Sequence, residues 1–120
     1  MSSTRPVFSK DPLYVLLRSD DIQGFNAKRA AGNSCDLRGV DLRSLDLRGM
    51  NADGLDMSGA YLREADLRGV DFSNTRMEGV SLRNARISGV MFPAELAAEE
   101  IRLSLDFGTR MRYNPLLRGR

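Results

Sequence analysis

Four aspartates, Asp41, Asp46, Asp66 and Asp71, recur at multiples of five residues. Paired carboxylates are common equipment for general acid–base work. Here they recur because the sequence around them recurs, and nothing marks one as acid and another as base. They read as solvated groups or, for the first three, as partners of the arginine that stands two residues on. Cys35 falls at a place kept for small apolar groups and reads as buried rather than reactive. Histidine and tryptophan are absent and lysine occurs only at Lys10 and Lys28, so the commonest general base and the commonest zinc ligand are missing. The glycines suit turns, and no Gly-Lys-Ser/Thr phosphate loop occurs. Met57 and Met77 read as core fillers. No catalytic, cofactor-binding or metal-ligating residue is expected, and the chain is not expected to be an enzyme.

The element that positions these residues is a period of five. From Cys35 to Ala94 the chain divides into twelve quintets without an insertion: CDLRG VDLRS LDLRG MNADG LDMSG AYLRE ADLRG VDFSN TRMEG VSLRN ARISG VMFPA. The third place is apolar in every one, and the first is apolar or small. Neither the 3.6 period of a helix nor the 2.0 period of a strand brings every fifth residue to one side. A coil of four equal sides does, since each quintet turns the chain by a quarter. Neighbours in such a stack are twenty residues apart. The inner columns are then Leu42, Leu62 and Leu82; Leu47, Leu67 and Ile87; Ala52, Phe72 and Phe92; and Leu37, Met57 and Met77. About three coils result, and both open ends expose backbone that must be covered.

The flanks read as those covers. Asp11 and Pro12 start a helix, with Leu13, Leu16 and Leu17 as its apolar stripe over residues 12–18. Over DIQGFNAKRAAG, a helix uses Ile22, Phe25 and Ala30 and stops at Gly32. A rival frame continues the quintets backwards with Ile22, Ala27 and Gly32 as centres. Gly32 fills a core poorly, which favours the helix. Residues 12–32 thus form an N-terminal cap, 35–94 the repeats, 94–107 a C-terminal cap helix closed by Gly108, and 108–120 a basic tail with Arg110, Arg112, Arg118 and Arg120. On the last helix Leu96, Leu103 and Phe107 face away from the side that would meet the coil. They are expected to be covered by the tail's own apolar residues or, preferentially, by a second copy in a homodimer.

The quintets resemble the pentapeptide-repeat family, whose unit approximates A-[D/N]-L-x-x. FNAKR at 25–29 is similar to the helix that precedes the repeats in many members. DPLYVLL, FNAKRAAG and AAEEIRLSLDFGTRMRY together resemble small single-domain bacterial members. The resemblance implies an all-β solenoid, a right-handed quadrilateral β-helix with helical caps. It also implies a non-enzymatic protein that displays surfaces to other proteins. Some members imitate DNA and bind a type II topoisomerase (gyrase). The repeats here hold eight basic and nine acidic residues, short of the dense negative stripe such mimicry needs.

With 18 basic and 16 acidic residues in 120, bulk charge points to no polyanionic or polycationic partner. The start MSSTRPVFSK has no apolar run, nothing approaches a membrane span, and one cysteine cannot close an internal disulfide. A cytoplasmic setting is the expectation. The four-sided frame nevertheless stacks Arg43, Arg63 and Arg83 in one column and adds Arg48 and Arg68 on the next side. Like charges one coil apart repel, so these five are the candidate interaction surface unless Asp41, Asp46 and Asp66 neutralise them. The expected partner is an acidic protein surface; nucleic acid is the lesser alternative.

Overall fold

Quintets turn because the chain bonds to itself across each corner. In the computed structural model, which describes residues 5–117, the N–H of a first place donates to the third-place carbonyl before it. Met50 N to Leu47 O (3.1 Å), Ala65 N to Leu62 O (3.1 Å) and Ala85 N to Leu82 O (2.8 Å) are examples. Such a turn is compatible with positive φ at its third residue, as in type II, where glycine suffers no Cβ clash. Gly49 (φ 84°) and Gly69 (φ 77°) sit there.

Between corners the chain is extended just long enough to pair with the next coil. The bridges are parallel and twenty residues apart: Asp41 with Tyr61 and Tyr61 with Ser81, Asp46 with Asp66 and Asp66 with Arg86, Asp56 with Arg76, Asp71 with Met91. Every fourth quintet therefore stacks, in the register of the apolar columns. Each pairing is an isolated bridge, and no strand longer than a bridge occurs among the described residues. The expectation of an all-β solenoid is corrected to that extent. A corner every five residues leaves no room for a ladder to lengthen.

The core lies inside these coils. Leu37, Leu42, Leu47, Met57, Leu62, Leu67, Phe72, Met77 and Leu82 are fully buried, and Ala52 nearly so, while Ile87 and Phe92 of the last coil are only partly covered. Thr75, at a first place, is buried and donates its hydroxyl to Ala52 O at 2.7 Å, which removes the cost of an unmet polar group there.

Both ends of the stack are capped by groups that imitate a missing coil. Helix α1 (Pro12–Arg18) starts where Asp11 accepts from Leu13 N at 2.8 Å, and its Tyr14 hydroxyl donates to Asp41 O at 2.8 Å. Helix α2 (Ile22–Ala30) settles the choice over residues 20–34 in favour of helix. It buries Phe25 and lays Asn26 along the first edge: Asn26 Nδ2 donates to Gly49 O at 2.9 Å and its Oδ1 accepts from Asn51 N at 2.8 Å. One side-chain amide thus does what two backbone groups of a further coil would do. Arg29 adds its guanidinium to the carbonyls of Asn51 and Asp53. The extended segment before α1 supplies Val7, which bridges to Val40 over the same edge.

At the other end, helix α3 (Ala98–Phe107) starts four residues later than the expected Ala94. Pro93 to Leu96 form a turn instead (Leu96 N to Pro93 O, 3.1 Å), which drops Leu96 into the core. Buried Ser104 accepts from Leu82 N at 2.8 Å, Asn84 N donates to Leu105 O, and the Tyr113 hydroxyl accepts from Met77 N at 2.8 Å. After Gly108 the chain pairs antiparallel with the last coil through Arg110 and Ser81.

Leu67→Lys places an ammonium in the dry interior and should cost several kcal/mol, whereas Arg68→Lys should leave the urea midpoint nearly unchanged. Asn26→Ala strips partners from Gly49 O and Asn51 N at once and should cost about 1–3 kcal/mol. Urea titrations followed by circular dichroism measure all three.

Candidate functional site

The repeat contains its own charge neutraliser. Where a quintet reads Asp-Leu-Arg, the second-place carboxylate accepts from the fourth-place backbone N–H and also grips that residue's guanidinium. Asp41 takes Arg43 N, Nε and Nη2 at 3.0, 3.0 and 2.8 Å. Asp36 with Arg38, Asp46 with Arg48 and Asp66 with Arg68 repeat the pattern. Asp66 also lies 3.4 Å from Arg48 Nε of the coil beside it, so Asp46, Arg48, Asp66 and Arg68 form one ladder of alternating sign. The hydrogen bond from Arg68 holds the Asp66 carboxyl down at about 2. Asp41, buried beneath Arg43, is likewise lowered, first by the Arg43 hydrogen bond.

The candidate surface therefore divides. Arg48 and Arg68 belong to the neutral ladder. Arg43 is paired with Asp41 but keeps its head exposed. Arg63 and Arg83 differ, because their quintets read AYLRE and VSLRN: Tyr61 and Ser81 stand where the others carry aspartate. Neither arginine has an ion pair among the described residues. Arg63 donates instead to neutral oxygens, Ser81 Oγ at 3.0 Å and Gly108 O at 3.3 Å. Backbone bonds from Ser44 N to Arg63 O (2.9 Å) and from Glu64 N to Arg83 O (2.8 Å) stack the three residues in adjacent coils. Gly108 packs against this column; a Cβ there would meet Arg63 Nη2 at 3.1 Å.

Two arginines from outside the repeats join this side. Arg110 lies 4.9 Å over the Tyr61 ring and donates to Gly79 O (3.1 Å) and the Tyr61 hydroxyl. Arg18, at the end of α1, lies 5.1 Å over the Phe8 ring. With Asp41, Arg43, Ser44, Arg63 and Glu64, Phe8 and Arg18 line an open cavity of about 490 Å³. Spacing could not have found Phe8 and Arg18, since they reach the side only through the fold of the N-terminal segment. The separation of Arg63 and Arg83 from the other arginines was written at Tyr61 and Ser81.

Other expectations change. The two described arginines of the basic tail are engaged: Arg110 is bound as above, and Arg112 donates to Glu100 at 3.0 and 3.2 Å. Arg118 and Arg120 lie outside the described residues. The proposed dimer stripe loses Leu96, which is 6% exposed in the core, while Leu103 (39%) and Phe107 (67%) remain at the surface. Cys35 is half-buried, and desolvation pushes its thiol up to about 12, a poor nucleophile at neutral pH.

The depressed carboxyls set a pH dependence. A group whose folded pKa lies below its unfolded value contributes stability that is present above the unfolded value and lost as pH falls through the folded one. For Asp66 the window runs from the ordinary carboxylate value of 3.8 down to about 2. The melting temperature should fall on acidification through that window. In Arg48→Gln, Arg68→Gln protein the Asp66 carboxyl should titrate closer to 3.8, as followed by its side-chain carbon resonance.

The family model described as pentapeptide repeats matches residues 33–69 and 60–92, with eight copies. No curated protein and no solved structure matches the chain. The matched residues cover half the sequence and coincide with the coils whose twenty-residue stacking and Asp-x-Arg forks are described above, and the chain belongs to the pentapeptide-repeat family.

Proposed function

We propose that the protein is a non-enzymatic protein-interaction module. In this reading a right-handed quadrilateral β-helix of about three coils, capped by α1, α2 and α3 as one domain, presents the Arg43–Arg63–Arg83 side to an acidic protein surface. The family suggests an interaction module. The observation that carries the choice of side is the loss of the fork at Tyr61 and Ser81, which leaves Arg63 and Arg83 charged and without a carboxylate among the described residues. Clustered guanidiniums of this kind favour encounter with negative surfaces and fix register.

The DNA-mimic alternative gains no support. The molecule measures 35 × 31 × 29 Å, with no long axis to match a duplex, and Asp36, Asp41, Asp46 and Asp66 are tied to arginines. A nucleic-acid binder would need the second column as well, and Arg48 and Arg68 are neutralised. A homodimer through α3 is left out of this reading because buried Leu96 cannot take part in it.

Affinity capture with the purified protein tests the proposal. Arg83→Ser, which breaks no hydrogen bond described for Arg83, combined with Arg43→Ser should lower partner recovery at least tenfold with the fold intact. Arg48→Ser, Arg68→Ser should recover as much as the parent. Equal recovery by both variants would refute the choice of side, and tighter retention on duplex DNA with a steep salt dependence would move the function to nucleic acid.

A further inference from the structure

The corner that follows the Arg43–Arg63–Arg83 column is unlike the others. In the repeats, positive φ at a fifth place is otherwise confined to glycine. Here Ser44 (φ 64°), Glu64 (φ 61°) and Asn84 (φ 59°) hold that conformation in three successive coils. A residue with a Cβ pays roughly 1–2 kcal/mol for it, and strain of this sort gathers at binding sites. Two of the three, Ser44 and Glu64, line the cavity together with Phe8, Arg18, Arg43 and Arg63. Side chains are thus kept at this corner where glycine would be easier.

We infer that this cavity receives one carboxylate side chain of the partner protein, an aspartate or glutamate carried on an extended segment beside an apolar residue that covers Phe8. The inference rests on the docking reading above and gives that reading its seat. The volume of about 490 Å³ suits a side chain with a stretch of backbone. Arg43 commits Nε and Nη2 to Asp41, and Arg63 commits the same nitrogens to Ser81 and Gly108, so Nη1 of each has no bond described within the protein. Those bonds hold both guanidiniums in place before a ligand arrives, which reduces the ordering cost of binding. Arg18 lies against the Phe8 ring, which is itself 64% exposed and offers apolar surface at the rim.

Charge selects the occupant. Three guanidiniums face two carboxylates, Asp41 and Glu64, a surplus of one positive charge. A single carboxylate balances that surplus. A dianionic phosphate exceeds it and would meet both acidic groups, and a phosphate chain running onto the next side would find the neutral Asp46–Arg48–Asp66–Arg68 ladder. An amine is refused by Arg18 and Arg63.

The test is a titration of the isotope-labelled protein with acetyl-Leu-Glu-Leu-amide, followed by the backbone amides and the arginine Nε–H resonances. The expected result is saturable movement of the Arg18, Arg43, Arg63 and Ser44 signals. The glutamine counterpart should bind at least tenfold more weakly, and Arg18→Gln should weaken the glutamate peptide at least fivefold. Arg48→Gln should change nothing. Glu64→Gly enlarges the surplus and removes the strained side chain; it should melt no lower than the parent and tighten inorganic phosphate relative to it. Equal shifts from both peptides would overturn the inference, as would equal movement at Arg48 and Arg68. So would tighter binding of inorganic phosphate or a duplex oligonucleotide than of the glutamate peptide to the unmodified protein. If the peptide moves nothing while partner capture still depends on Arg83, the cavity is refuted and the docking side stands. If capture is indifferent to Arg43 and Arg83, the docking side itself falls.

Discussion

Everything in this molecule depends on a hydrogen bond repeated at nearly every corner, from a first-place N–H to the third-place carbonyl three residues before it. It forces the chain to change direction every five residues and limits each side to a single bridge. A β-sheet gains cooperativity from long ladders; this coil gains it from stacking alone. Bridges join neighbouring coils on all four sides, so an apolar column such as Leu42, Leu62 and Leu82 is continuous although no strand is. The same constraint creates the problem of the ends. An open coil presents backbone groups at every side, and the caps meet them with side chains aimed at individual peptides: Asn26 and Arg29 at one end, Ser104 and Tyr113 at the other.

The charged surface follows from the same geometry. A fourth-place arginine stands where a second-place aspartate can reach both its backbone N–H and its guanidinium, and the resulting fork lowers the carboxyl and immobilises the cation. Such exposed pairs add little to stability. Their consequence is electrostatic: a surface dense in arginine and aspartate becomes nearly silent at a distance. Against that background a quintet lacking its aspartate stands out. Tyr61 and Ser81 convert two members of one column from neutral units into cations without a carboxylate, of which Arg63 is held by uncharged oxygens, and α1 and the tail bring Arg18 and Arg110 to the same side.

The period of five, the inner columns and the twenty-residue register were legible in the sequence, because a corner at fixed intervals leaves no freedom in which residues face inward. Helix α1 and its cap at Asp11 were legible for a related reason: side-chain capping is local chemistry, decided within three residues. The extent of the last helix was not. Pro93 and Glu95 suit a first turn equally well whether or not the chain first dips inward, and the partly covered last coil, with room for Leu96, decided that it does. The wheel that placed Leu96 beside Leu103 and Phe107 failed with it.

The arginine columns show the same boundary at the site. Their stacking was fixed by period, and the residue two places before each arginine, aspartate for Arg43, Arg48 and Arg68 but Tyr61 and Ser81 for Arg63 and Arg83, marks which are spent on carboxylates; folding added the seat of Arg63 on Ser81 and Gly108. The cavity lay further from reach, since Phe8 and Arg18 are outside the repeats and approach Arg43 and Arg63 only because Val7 takes the pairing position above Val40 and Tyr14 anchors α1 to Asp41. Local turns and periodicity are written in neighbouring residues and can be read from them. A site assembled from a terminal segment, a helix end and two coils exists only once long-range packing has brought its parts together.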